Sequence, residues 1–294
     1  MIHSTWDDWF VRWEVEAADP SGLSAWYLGC NAFVLRTPAT TVYIDPYFGD
    51  GDPPTLLRMA PVPMDPNDAS QCDAVLVTHE HVDHLHPPSY EPLLAAEGAQ
   101  LYAPATAVAH PERGPAERAG LQGEARAVAP GDTFAVGDLT VRVFGADDPD
   151  AEEPVSFLFE HDAGTFFHGG DSRVADTFSE VGREHDVDVC ALAYGSWGFR
   201  YYPAADEIRT REVYMDADDV IEAANALRAD RLVPTHWRMW KGLEADPRAL
   251  STAATSMVAP KVVEPVDVGD RVDVAEPGVK PLSVLADRQP RRRR

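Results

Sequence analysis

At 294 residues the chain is long enough to bury a large core, and its 45% apolar content is ordinary for a globular protein. A formal charge of −24 and an isoelectric point near 4.6 argue against a nucleic-acid-binding face, which has to be basic. No apolar run reaches the length of a membrane span, the N-terminus lacks the basic and apolar regions of a signal peptide, and three scattered cysteines (Cys30, Cys72, Cys190) give no disulfide framework, so the sequence reads as cytoplasmic.

In chain order, an N-terminal segment (1–20) comes first, with an amphipathic helix predicted over 4–14. Ser4 or Thr5 can cap it, and Trp6, Trp9, Phe10 and Trp13 recur at helical spacing on one face. That face is expected to dock on the protein's own core or on another subunit, which leaves a homo-oligomer open. The opposite face is acidic and would be repelled by anionic lipid, so no membrane partner is expected. Residues 33–36 and 41–44 read as paired strands about Thr37-Pro38-Ala39-Thr40. Residues 46–71 hold six prolines, a loop long enough to suggest a lid or binding loop. Further strands are predicted at 74–77, 101–102, 140–144, 155–159, 165–167, 187–191 and 232–233. A helix over 217–227 is capped by Asp216, with Val220, Ile221, Ala224 and Leu227 as its apolar stripe. Strands lead, helices intervene and no linker-like break appears. The expectation is one α/β domain over 1–294, with mixed sheets covered by helices and a disordered basic tail at 286–294.

The 74–77 strand runs into His79-Glu80-His81-Val82-Asp83-His84, with His86 close behind. Two histidines at i, i+2 in extended chain point the same way and can share one ion. Asp83 and His84, one turn on, can face a second ion, and a dinuclear site of that kind makes a hydroxide nucleophile at neutral pH. A second signal is Phe166-Phe167-His168-Gly169-Gly170-Asp171-Ser172. Here the glycines allow close backbone approach and the carboxylate can bridge two ions. A third is Leu232-Val233-Pro234-Thr235-His236-Trp237, a strand that ends in an imidazole.

A strand-borne HxHxDH, a later Gly-Asp and a late strand-end His resemble the metallo-β-lactamase fold superfamily. Within it, the chain is similar to the L-ascorbate-6-phosphate lactonase group. The likeness is carried by Tyr27-Leu28-Gly29-Cys30, Asp73 through His79, Pro130-Gly131-Asp132, His168 through Ser172 and Pro234 through Trp240, and covers roughly residues 24–275. The resemblance implies a four-layer αββα sandwich of two mixed β-sheets covered by helices. It implies His79 and His81 on one ion, Asp83, His84 and His236 on the other, and a bridging Asp171. Where the superfamily usually supplies another His, this chain has Gly145-Ala146-Asp147-Asp148, so Asp147 is the expected ligand, with Asp148 next. The additional carboxylate favours Mn over Zn as the pair of divalent ions. Asp45, before Pro46, is expected to orient a ligand histidine by accepting its other N–H, and Thr78 to do similar work.

The expected chemistry is hydrolysis of a small anionic lactone or ester, such as a sugar-acid phosphate lactone, by a metal-held hydroxide. Asp83, His84 and Asp171 are the catalytic residues, with Asp171 or Asp83 shuttling the proton. A phosphodiesterase of the same superfamily is the alternative, and a degenerate metal-binding member a third reading. The aromatic segment from Tyr194 through Trp197 to Tyr202, with Arg200, Arg209, Arg211 and Arg238, is the expected source of substrate contacts, because arginine pairs bidentately with phosphate or carboxylate. Three lysines against 22 arginines on an acidic background point to a halophilic protein working in molar salt, where self-repulsion is screened.

Overall fold

The strands Ser24–Gly29, Ala32–Arg36, Thr41–Ile44, Ala74–Leu76, Val189–Ala193 and Arg231–Thr235 are buried at every position. A strand with no solvent-facing side needs cover on both faces, and this requirement builds the layers. In this computed structural model, which describes Ile2 and residues 4–96, 98–117, 125–195, 197–202 and 204–280, two large sheets face each other. The first has eight strands in the order Val279–Lys280, Arg271–Asp273, Ser24–Gly29, Ala32–Arg36, Thr41–Ile44, Ala74–Leu76, Gln100–Pro104, Ala125–Val128. The second has seven: Val262–Val263, Arg231–Thr235, Val189–Ala193, Gly164–His168, Val155–His161, Leu139–Gly145, Thr133–Val136. One apolar core, with Phe33, Ile44 and Leu76 from the first sheet and Phe157, Phe166 and Val233 from the second, lies between them. The outer face of the first sheet is covered by the N-terminal segment and residues 85–96 and 105–108, and that of the second by helices Asp176–Glu184, Ala217–Ala226 and Arg248–Ala254. This is the αββα arrangement.

Each sheet is parallel on one side and antiparallel on the other. Thr41–Ile44, Ala74–Leu76 and Gln100–Pro104 run parallel in the first, and Gly164–His168, Val189–Ala193 and Arg231–Thr235 in the second. Their carboxyl ends deliver Asp45, the 79–84 segment, Asp171 and His236 to one edge of the sandwich, the place where open α/β sheets hold ligands.

The N-terminal segment differs from its prediction. The helix spans Phe10–Glu16 and is wound with i→i+5 bonds, as from Ala17 N–H to the Arg12 carbonyl. That wider turn brings Phe10, Val11 and Val15 onto the buried face and leaves Trp13 75% exposed, off the stripe that 3.6-residue spacing predicts. Trp6 and Trp9 pack partly against the core, and the buried Arg36 guanidinium donates to the carbonyls of Val15, Glu16 and Ala18 at the helix end. The 46–71 loop is pinned rather than free. Arg58 donates to the carbonyls of Tyr47, Gly49, Ala60 and Pro61, and Tyr47, Phe48 and Met64 are buried. Ser24–Gly29, Thr133–Val136 and the hairpin Trp197–Tyr202 with Glu207–Glu212 are strands the periodicity does not predict. The predicted basic tail lies outside the described residues, and no helix among those described is long and apolar enough to cross a membrane.

Candidate metal centre

Two groups of ligand-type side chains meet at the carboxyl edge of the sheets: Asp83, His84, Asp171 and His236 in one, and His79, His81 and Asp148 in the other. The ring centroids of His79 and His84, one from each group, are 3.9 Å apart, so the groups adjoin.

In the first group, His84 Nε2 lies 3.2 Å from Asp171 Oδ2 and 3.9 Å from Asp83 Oδ2, and His236 Nε2 lies 3.1 Å from Asp171 Oδ1. The other nitrogen of His84, Nδ1, is 2.8 Å from Asp45 Oδ2. Asp45 also accepts from the Thr78 N–H (2.8 Å) and hydroxyl (2.7 Å). Asp45 and His236 both have left-handed backbone (φ 45° and 61°), a strain of about 1 kcal/mol or more each for a non-glycine residue. The next strand end fixes Asp45, whose N–H donates to the Leu76 carbonyl. Gly170 takes a left-handed backbone (φ 60°) that favours glycine, and a Cβ there would crowd Thr78 at 3.1 Å.

In the second group, His79 Nε2 and His81 Nδ1 are 2.9 Å apart, and Asp148 Oδ2 is 3.5 Å and 3.7 Å from them. The far nitrogen of His81 faces the Asp150 carbonyl at 3.1 Å, which orients the ring. The sequence expectation for this position is corrected. Asp148, not Asp147, turns inward, while the Asp147 side chain is exposed and its backbone is held by Ser172 and Arg173. Asp147 is exposed while the Asp148 carboxylate reaches both histidines, so of the two acids only the second joins the group. Asp171 stands with Asp83, His84 and His236, its two oxygens divided between the two imidazoles. The fourth histidine of the motif, His86, is in neither group and bonds Ser89 Oγ at 2.7 Å.

The donor set fits divalent cations. Both ring nitrogens of His236 are buried without a hydrogen-bond partner, although one faces a carboxylate at 3.1 Å. Burial, reinforced by the neighbouring His84 ring, holds His79 well below the usual histidine range, which keeps its lone pair free. At His84 burial works the same way, but the carboxylates of Asp171, Asp45 and Asp83 outweigh it and raise the ring well above its ordinary value, so a positive charge is wanted there. Burial and the nearby Asp171 raise Asp148 to about 6. Acids crowded to this degree call for a cation.

A cavity of about 300 Å³ opens over the two groups. Leu56, Val213, Trp240 and Leu243 form its apolar wall, and Tyr214 stacks on His236 with centroids 4.4 Å apart. The expected substrate contacts are corrected here. The Tyr194 hydroxyl donates to the Asp246 carbonyl, Arg238 stacks on Trp237 and pairs with Asp267, and Arg209 pairs with Glu207 over Tyr202, so none of these lines the cavity. Trp197 is 61% exposed on the hairpin and does not line it either, and the Arg200 side chain is not among those described. Arg211 does line it. Sequence reading missed Asn31, whose side chain donates to Asp171 Oδ1 at 2.8 Å and accepts from Thr235 Oγ1 at 2.6 Å. Its only sequence signal is the Gly29-Cys30-Asn31 turn between two apolar runs.

Two mixed sheets in four layers, with imidazoles and carboxylates gathered at one carboxyl edge, define a metallo-β-lactamase fold. The beta-lactamase superfamily domain matches residues 40–237, and the chain belongs to that superfamily. A protein of Escherichia fergusonii named probable L-ascorbate-6-phosphate lactonase UlaG is 27% identical over 292 aligned positions, covering 83% of this chain and 78% of that protein. Among solved structures, the metallo hydrolase Igni18 of Ignicoccus hospitalis superposes with a TM-score of 0.63 at 17% identity, over 85% of this chain and 97% of that one. An isothiocyanate hydrolase from Delia radicum gut bacteria gives 0.61 at 15% identity, over 85% and 98%. At those identities the two structures speak for the fold.

Proposed function

We propose that the protein is a metal-dependent hydrolase with a dinuclear centre that opens a small anionic lactone or ester, a sugar-acid phosphate lactone by analogy with its lactonase relatives. The observation that carries the reading is the adjacency of the two ligand groups, joined at His79 and His84. Two divalent cations held there would supply Lewis acidity and a water activated at neutral pH. Asp45 fixes the tautomer and direction of His84, and Thr78 and the Asp150 carbonyl do the same for His79 and His81. Asp171, anchored by Asn31, spans both imidazoles of its group, His84 and His236. Asp83 lies on the cavity wall, where it can take the proton of the attacking water and return it to the leaving alkoxide. The apolar wall limits water to the reacting face. The three buried, unpaired cysteines are in keeping with a cytoplasmic setting.

Asp148 in the His79/His81 group makes the centre richer in oxygen than an all-imidazole site, and oxygen donors favour Mn over Zn. Metal-stripped protein is therefore expected to regain more activity with Mn²⁺ than with Zn²⁺; full recovery with Zn²⁺ alone would overturn the assignment. Asp148→Ala is expected to lower metal content by about one of two equivalents, with Asp147→Ala binding as wild type, because only Asp148 faces the imidazoles. Equal losses in the two variants, read by elemental analysis, would refute the placement.

The function is tested by assaying metal-replete protein in high KCl, the salt regime its acidic, lysine-poor composition calls for, against L-ascorbate 6-phosphate and a chromogenic phosphodiester. Turnover of the lactone supports the reading. Turnover of the phosphodiester alone replaces it with a phosphodiesterase, and a folded protein with less than one metal and no turnover replaces it with a non-catalytic member.

A further inference from the structure

Acids dominate the cavity. Asp83, Asp148, Asp150 and Asp171 line it, and among its described lining residues Arg211 carries the only permanent positive charge. Arg211 comes from the exposed hairpin, on strand Glu207–Glu212, and is paired in register with Gly198. Residues facing each other across an antiparallel pair share a face, so Arg211 stands on the face where Leu243 fills the place that a side chain at 198 would take. Gly198 is itself obligatory, because a Cβ there would lie 1.8 Å from Leu243 Cδ2. Close packing at Gly198 and the Phe199 N–H bond to the Gly242 carbonyl at 3.1 Å seat the base of the hairpin beside the cavity.

The guanidinium is not idle. Its Nη2 binds the Asp150 carboxylate, and both side chains are partly open to water, at 33% and 44%. An ion pair so exposed contributes little net stability, so an arriving oxyanion can replace it at small cost. Asp150 is suited to yield, because it holds His81 through its backbone carbonyl and its carboxylate can swing away without disturbing that contact. The cavity that Arg211 lines also has an apolar wall of Leu56, Val213, Trp240 and Leu243, which a bound ligand would complete, shielding its contact with Arg211 from water.

We propose that Arg211 is the anion-recognition residue of the cavity and Asp150 its built-in competitor, so that the site admits substrates whose phosphate or carboxylate can displace Asp150. The proposal rests on the hydrolase reading for its substrate class, but the subsite can be tested without turnover. Metal-loaded wild-type, Arg211→Gln and Asp150→Asn proteins are titrated calorimetrically with glucose 6-phosphate, with glucose as the uncharged control. Both side chains reach solvent, so each variant is expected to melt with the wild type. Wild type is expected to bind the phosphate ester and not the sugar. Arg211→Gln is expected to weaken the phosphate ester by about tenfold or more, the worth of one charge-assisted bond, and Asp150→Asn to tighten it by about three- to tenfold. The proposal is overturned if wild type does not bind the phosphate ester or Arg211→Gln binds it within about twofold of wild type. It is equally overturned if Asp150→Asn fails to tighten. Should the phosphate titrations come out as expected while no lactone is turned over, the hydrolase reading fails and the anion subsite stands.

Discussion

Asp171→Asn is expected to fold as wild type and to lose more than about 100-fold in kcat/KM, with metal depleted from the His84/His236 group. Removing a partner that only orients a ligand typically costs 10–100-fold, and Asp171 is nearer to the chemistry than that. One oxygen faces His236 at 3.1 Å and the other His84 at 3.2 Å, while Asp83, the other carboxylate of the group, stands farther from His84, at 3.9 Å. The amide keeps the shape and the contact with Asn31 but not the charge. In the metal-free protein, burial would raise the Asp171 carboxyl, yet the His236 and His84 rings outweigh it and hold the group well below the ordinary carboxylate range. Asparagine forfeits that interaction, whether a proton or a cation sits on the imidazoles. Metal content and kcat/KM measured on the same preparation decide the matter. A variant with both metals and activity within tenfold of wild type would remove Asp171 from the centre.

The second large effect is on stability. Arg231 and Glu264 are each about 5% exposed, and Arg231 Nε donates to Glu264 Oε2 at 2.8 Å. Arg231 Nη1 also donates to the carbonyls of Asp273 (2.8 Å) and Val274 (3.1 Å), and Glu264 Oε1 accepts the Gly278 N–H at 2.7 Å. Arg231 begins a strand of the second sheet, while Asp273 closes a strand of the first, so this cluster rivets the two sheets at the edge away from the metal centre. Glu264→Ala leaves a buried guanidinium without its counter-ion and is expected to cost about 3–5 kcal/mol. That corresponds to a fall in Tm of roughly 5–8 °C, with an unfolding entropy of about 2.1 cal/mol/K per residue. Replacing both partners with apolar residues, Arg231→Met with Glu264→Leu, is expected to recover most of the loss, since the penalty lies in the unpaired charge. Thermal unfolding of the three proteins tests both parts. A single variant that melts with wild type would show that water reaches the cluster.

The sequence by itself determined most of the candidate ligand set. His79, His81, Asp83 and His84 sit within six consecutive residues after an apolar strand, and local geometry alone brings them to one edge. Asp171 and His236 were legible for the same reason, as polar residues that end apolar runs, and so was the cap of the Ala217–Ala226 helix, where Asp216 accepts from Asp218 and Asp219 N–H. The α/β class followed from the spacing of those runs. What the tertiary structure decided were choices between equals. Asp147 and Asp148 are the same residue type one position apart, and only the exit direction of the Leu139–Gly145 strand turns the second one inward. Four arginines near the aromatic segment looked alike in sequence, and the hairpin register, with Gly198 opposite Arg211, brings that one to the cavity. Asn31 lies more than a hundred residues from the Asp171 it supports, and its local signal, a turn between two apolar runs, does not name that partner. Periodicity reports what one element buries, while the partner across a sheet, the winding of the N-terminal helix and the inward member of an acid pair depend on contacts distant in sequence, which a one-dimensional pattern does not carry.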